Sequence, residues 1–464
     1  MHSVAGSNGH AALKTPAGVT HDLLDKHRQS GRTFRLAVAV CGVLLALGIV
    51  GFVLRLQDGV SDRAVWGYYA ALFGFILMTA QAAPMVAIAP RLAKAHWRRP
   101  ITRSAELFTV VGLFNLVLFI PMLWVLPSLE DGRRSLWFFS DLNMPAQMPQ
   151  IVATLSLLFM VAAGLALLWI SSLPDLAALR DSSTGGRKRI YGRLANGWSG
   201  TSAQWNMQYH RVGILSAFYF IMLVFTHFVI SVDFVMALVP GWIDALFPVT
   251  QAHNALQAGV ATMLVTMFML RKFGGYEDYF ELDQFWALGK LLLALSLLWF
   301  WFWFSSFIVL WYGAKPGEQS VLRLMMAGPY QPAFMAGFVM CFIVPLFTMI
   351  WNPLRKSIWG PTIIAVGVLV GVFFDRIRIW VAAYSVADIE DKHELDIGAI
   401  PTAVMPDIAD VLIWVGAIAG VVMVYLLASR VLPVISIWEQ KELLLYKSHK
   451  PFHRTEVLVL GKPD

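Results

Sequence analysis

The chain has 464 residues, of which 58% are hydrophobic and only 14% charged, and its mean hydropathy is +0.64. Soluble domains carry roughly 25% charged residues, so this composition excludes a soluble enzyme and calls for lipid as a second solvent. The formal charge of +7 fits loops beside a membrane better than a nucleic-acid surface, and the two cysteines, Cys41 and Cys341, exclude a disulfide framework, a thiolate zinc site and an iron–sulfur ligand set.

Residues 1–33 are polar, lack the apolar core and cleavage site of a signal peptide, and read as a cytoplasmic arm. Within the arm, His21–Arg32 is either a short surface helix or a charged lead-in. Ten apolar runs follow, each long enough to cross roughly 30 Å of hydrocarbon at about 1.5 Å per residue. They cover 34–56, 66–90, 107–126, 148–173, 211–239, 249–270, 286–312, 331–352, 358–386 and 407–431. A spanning segment must satisfy its own backbone, and barrel strands would read as alternating ten-residue pieces, so these runs predict helices. The expectation is an all-α integral membrane protein with ten transmembrane helices over 34–431 and a cytoplasmic tail over 432–464.

Charge sets the orientation. Most Lys and Arg residues fall at the termini and in alternate loops, notably Arg91–Arg103 and Arg180–Arg211, whereas the opposite side carries Arg55, Arg63, Arg133, Arg134, Lys315, Arg323 and Lys392. This bias places both termini in the cytoplasm of a multi-pass cytoplasmic-membrane protein. No hydrophilic stretch exceeds about 40 residues, so there is no extramembrane catalytic domain, and chemistry must occur in the membrane or through partners. The longest inner loop, 174–210, joins Ser182-Ser183-Thr184-Gly185-Gly186 to Arg187-Lys188-Arg189 and suits contact with anionic lipid or docking of a partner.

Ionisable groups within spans are expensive and therefore candidates for function. In the fifth run His227 and Asp233 lie some 120° apart around the axis, so both can face one bundle interior without touching. His227 is an interior histidine or a ligand contact, and Asp233 is a carboxylate placed to accept a proton. The sixth run opens with Gln251-Ala252-His253-Asn254, which puts His253 at a depth comparable to Asp233, so the two are expected to approach each other. Two histidines are the minimum for bis-His haem ligation, but the depths of His227 and His253 differ and no second pair exists. In the ninth run Asp375, Arg376 and Arg378 are either an internal ion pair or the lining of a proton or substrate route. Lys290 is expected to snorkel, and Trp299, Trp301 and Trp303 to face lipid or supply packing bulk rather than form a cofactor box.

The stretch Ser231-Val232-Asp233-Phe234 through Met236-Ala237-Leu238-Val239-Pro240-Gly241-Trp242, then Phe247-Pro248, resembles the NrfD-like, or polysulfide reductase, membrane-subunit family. Within it the nearest likeness is to the quinol-oxidising membrane subunit of alternative complex III. Arg99–Glu106, Pro174–Asp181, Leu288–Leu291, Trp311-Tyr312, Gly328–Tyr330, Phe374–Arg376 and Pro433–Ile435 with Glu439 carry the likeness along nearly the whole chain. The resemblance implies two similar four-helix bundles, about 66–239 and 249–386, with one flanking helix at each end. It also implies a quinol site near the outer surface of the first bundle, and His227 and Asp233 map onto the family's positions there. His253 stands where the relatives tend to have apolar residues and is a substitute for the histidine they carry elsewhere, so the expected quinone contacts are His227, Asp233, Trp242 and His253, with Asp233 and His253 as the acid–base pair. Quinone would be a substrate, with no covalently bound cofactor. The implied partners are an iron–sulfur protein, a multihaem cytochrome c and a second NrfD-like subunit. The sequence departs from the pattern in two places: Pro121-Met122-Leu123-Trp124 where the resemblance places a histidine, and Met144–Gln150 where it places an aspartate.

Three functions remain open from the sequence: a quinol-interacting subunit of a respiratory oxidoreductase, not catalytic alone; an anchoring or assembly subunit without a quinone site; and a secondary transporter. Transporters commonly carry broken helices at matched places in two halves, and no such pair is visible in the sequence.

Overall fold

The computed structural model describes residues 15–29, 31–127, 135–137, 145–387, 396–452 and 455–460. Lys14, Arg133, Arg134, Lys392, Arg454 and Lys462 of the charge pattern, and Met144 before the fourth run, lie outside them. The protein is a multi-pass, predominantly helical membrane protein. Eight helices among the described residues are long and apolar enough to cross a bilayer: Arg32–Gln57, His96–Phe119, Met148–Ser182, Ser202–Leu238, Phe247–Phe273, Leu282–Gly313, Gln331–Met349 and Ile408–Val431. The predicted runs 66–90 and 358–386 are helical too, but composite.

The chain begins with α1 (Pro16–Arg28), capped by the Thr15 hydroxyl and started by Pro16, a pairing that suits a first turn. It is more than a charged lead-in, because Val19, Leu23, Leu24 and His27 are buried. Next comes α2 (Arg32–Gln57), then α3 (Gly67–Thr79) and α4 (Met85–Leu92), which together form the second run. Pro84 lacks the N–H needed to continue a helix, and the chain unwinds over Ala80–Pro84. Inside a membrane a freed carbonyl must find another donor; Tyr219 supplies one, its hydroxyl bonding Gln81 O at 2.5 Å. The third run is assembled from α5 (Thr102–Glu106), α6 (Val111–Phe119) and α7 (Met122–Val125), followed by α8 (Met148–Ser182), α9 (Gly185–Leu194) and α10 (Ser202–Asp233).

The second part holds α11 (Phe247–Phe273), α12 (Leu282–Gly313), α13 (Pro316–Leu322), α14 (Gln331–Phe338), α15 (Val344–Met349), α16 (Asn352–Arg355), α17 (Trp359–Arg376) and α18 (Ala382–Ser385). Wide π turns interrupt it at Arg323–Ala327, Val339–Ile343 and Ile377–Val381. After α19 (Ile408–Val431) come α20 (Ile437–Tyr446) and an antiparallel hairpin of β1 (Lys447–Phe452) and β2 (Thr455–Leu460). This hairpin lies in the tail after the last span, and the described membrane domain is helical.

Helix α11 is the hub. It packs against α10, α12, α17 and the broken α3–α4 segment. A Cβ at Gly259 would lie 2.7 Å from Ala82 O, so only glycine lets α11 approach the break. At the periphery α2 lies along α19, where a Cβ on Gly48 would stand 2.6 Å from Gly416 Cα, and Arg55 joins the two ends through Asp407 and Asp410, both at 2.8 Å.

Helices α1 and α20 pack together and mark what is termed here the inner end, where a buried network ties the C-terminal segment to the bundle. Arg91 reaches Glu106 at 2.6 Å and Glu439 at 3.2 Å, Arg98 reaches Glu439 at 2.7 Å, and Arg103 reaches Asp175 at 3.0 Å. Burial pushes the Glu439 carboxyl up, but the Arg98, Arg91 and Arg99 guanidinium groups outweigh it and hold the group at about 2. Lys290, exposed, lies 4.0 Å from the Trp286 ring centroid, a cation–π contact at the snorkelling depth expected.

Candidate functional site

Polar groups from three helices converge in the outer half. Helix α10 supplies His227, α11 supplies Gln251, and the end of α17 supplies Asp375 and Arg376. Arg376 donates to Gln251 Oε1 at 2.5 Å and pairs with Asp375. Arg378, one turn further, donates to Asp375 Oδ1 from Nε at 2.8 Å and lies 2.7 Å from it through Nη2. Two guanidinium groups on one carboxylate leave an excess positive charge, and the Gln251 oxygen faces it. The predicted internal pair is therefore present. It is followed by the π turn Ile377–Val381, a form frequent beside functional sites.

His227 is 2% exposed. Its Nδ1 lies 2.9 Å from Leu223 O, and since a carbonyl can only accept, Nδ1 carries the proton and Nε2 is left as an acceptor. Nε2 is buried without a partner. The ring borders a crevice of about 10 Å³ shared with Gly74, Ile230, Gln251, Arg376 and Trp380, room for about one water.

The structure turns the other predicted groups elsewhere. Asp233 accepts from Ser135 Oγ at 2.6 Å, Trp137 Nε1 at 3.0 Å and Leu136 N at 3.4 Å, so it holds the Ser135–Trp137 segment against the end of α10. His253 lies 2.9 Å from Leu295 O through Nε2 and packs on Phe302, facing α12. The expected approach of Asp233 and His253 is thus corrected: Asp233 is engaged by Ser135–Trp137, whereas His253 stands about 160° around α11 from Gln251 and faces Leu295 and Phe302 of α12. Nor do His227 and His253 converge on one ligand.

Trp242 follows a turn in which Gly241 has φ +72°, a left-handed conformation that favours glycine. Its ring packs 4.4 Å from that of Phe247. Beyond it Asp244 accepts from Leu246 N at 2.9 Å. Burial pushes its carboxyl above the ordinary range, against the pull of hydrogen bonds from Leu246 and Ser306.

Sequence reasoning weighed only the ionisable groups of α11 and missed its amide row. Gln251, Asn254 and Gln257 recur every third residue, which places them along one stripe of the helix, and all three are buried. Gln257 donates to Ser296 Oγ and to Cys341 O, each at 2.8 Å; the second acceptor lies in the π turn Val339–Ile343.

These features define a class: a multi-span helical membrane protein with a buried charged and amide cluster where α10, α11 and α17 meet. The family described as Polysulphide reductase, NrfD matches residues 57–387, and the chain belongs to that family. No curated protein matches the chain.

Proposed function

We propose that the chain is the quinone-interacting membrane subunit of a multi-subunit oxidoreductase, with ten crossings arranged as two similar halves and a flanking helix at each end. NrfD subunits are membrane components of quinone-linked oxidoreductases. In this reading a partner iron–sulfur protein takes the electrons, with a multihaem cytochrome or second NrfD-like subunit beyond it. The observation that carries the reading is the orphan Nε2 of His227: a buried acceptor on a crevice walled by Arg376 and Gln251 suits a quinol hydroxyl. Asp375, Arg376 and Arg378 form the polar route by which a released proton leaves, and Asp233 holds the Ser135–Trp137 segment against the end of α10.

Quinol:acceptor turnover by the assembled complex in membranes tests this. His227→Leu should lower turnover by about 10²-fold or more, the scale of a lost acid–base group, while subunit recovery stays unchanged. Turnover within twofold of the parent would overturn the assignment of His227.

One observation favours the anchoring reading instead. The carboxylate oxygens of Asp233 are engaged by Ser135, Leu136 and Trp137, and the third run ends in Pro121-Met122-Leu123-Trp124 without a histidine. An anchor predicts that Asp233→Asn and His227→Leu both leave turnover intact.

A further inference from the structure

A second and larger cavity, of about 60 Å³, opens on the far side of Gln251, between the start of α11, the outer half of α12 and the α13 segment. On this measure it exceeds several-fold the roughly 10–15 Å³ that one water needs. Its α12 wall is a ladder of flat rings. Trp299 and Trp303 are stacked at 6.5 Å with 7° between planes, and Trp303 and Phe307 at 5.4 Å with 10°. The rings expected to be packing bulk therefore line a hollow. The α13 side is closed by Met325 and Met326, adaptable side chains that mould to a ring.

Two polar atoms in this wall lack partners. Asn254 is 4% exposed and lines the cavity, and its Oδ1 is buried with no donor. Trp303 lines it as well, and its Nε1 is buried with no acceptor. A buried polar group left unpaired is costly, and the cavity is short of one donor and one acceptor. An acyl chain between flat rings would leave both unpaired. A planar ring bearing oxygens would stack on the indoles and could pair with each. Asp244 and Ser306 stand in the same lining, both half-buried.

The geometry points to this cavity as a binding site for a quinone or quinol head group, separate from the His227 crevice and sharing only Gln251 with it. In it the rings of Trp299, Trp303 and Phe307 form the stacking face. Asn254 Oδ1 accepts from a quinol hydroxyl, Trp303 Nε1 donates to the opposite oxygen, and Asp244 is the acceptor nearest the outer turn. This inference rests on the quinone-linked reading above.

The test is photolabelling of the assembled complex in membranes with a short-chain azidoquinone, with adducts mapped by mass spectrometry. Adducts competed by excess quinone are expected in the 299–326 region. Asn254→Leu, which removes the orphan oxygen at similar volume, and Met326→Phe, which fills the cavity from its half-buried edge, should each reduce those adducts about tenfold, while His227→Leu leaves them unchanged. Competed adducts confined to the peptides around His227, or adducts in 299–326 that neither variant reduces, would overturn the second site and leave the quinone-linked reading standing. No competed adduct anywhere in a complex with full subunit recovery would overturn both.

Discussion

Glu439 illustrates how a single residue can hold an element. Its carboxylate, 1% exposed, lies against Arg91 and Arg98, and removing one partner of a buried pair typically costs about 3–5 kcal/mol. Glu439→Gln should therefore lower the melting temperature of the purified protein at pH 7. Because the folded group sits at about 2 rather than at its ordinary 4.5, its contribution is fully present above pH 4.5 and is lost as pH falls toward 2. The gap between parent and variant should narrow as pH falls from 4.5 toward 2, and a gap at pH 2.5 as large as that at pH 7 would refute the assignment. At this scale the sequence was legible where a group is charged: Asp375, Arg376 and Arg378 were singled out and are coupled. Neutral amides escaped because their cost of burial is invisible until their neighbours are known, and the outer groups Asp233 and His253 were misjudged because depth along a helix is readable from spacing whereas azimuth against a partner is not.

Among elements, α1 carries its own pH response. Burial, then Arg430 and Arg187, push His27 down to about 4, so the folded protein holds it neutral. Its pKa lies below the ordinary 6.5, so the stability it brings is complete above pH 6.5 and falls as pH drops from there toward 4. Hydrogen exchange of residues 16–28 should accelerate between pH 6.5 and 4 relative to the rest of the inner end, and His27→Gln should remove most of that dependence.

The pairing of α2 with α19 rests on small residues, as membrane helices without a hydrophobic drive between them require. Gly48→Leu forces a side chain into the Gly416 backbone, and overpacking of this kind costs about 1–3 kcal/mol. A drop of several degrees in melting temperature is expected, with new protease sensitivity in the 58–62 link; an unchanged melting temperature would show that the contact is dispensable. The helices were legible as apolar runs. The break in α3–α4 and the three π turns were not, because they depend on Tyr219, Gln257 and other distant partners that accept or supply the freed hydrogen bonds.

For the whole molecule, α1 packs on α20, and the Lys and Arg distribution predicts that this end faces the cytoplasm. With an impermeant thiol reagent applied from outside intact cells, Ile243→Cys should be modified and Ser183→Cys should not; the reverse pattern would invert the topology. Ile243 is 66% exposed beside the Pro240-Gly241-Trp242 turn, so lack of reaction could not be ascribed to burial within this chain. The multi-pass helical character and the family were readable because they follow from composition and local motif. The way α11 divides one hollow from another was not, since it arises from packing between segments far apart in sequence.

The inner network also fixes an order of events during synthesis. Glu439 lies 341 residues after Arg98 and 348 after Arg91. At about 5–20 residues per second, the guanidinium groups wait roughly 20–70 seconds for this counterion to be made. Until then Glu106 is the carboxylate within reach of Arg91, and the inner end must stay open to water or to the insertion machinery. Closure of the Arg91–Arg98 network is therefore among the last steps of biogenesis, and a ribosome that stops short of codon 439 leaves a chain whose early helices are inserted but unsealed.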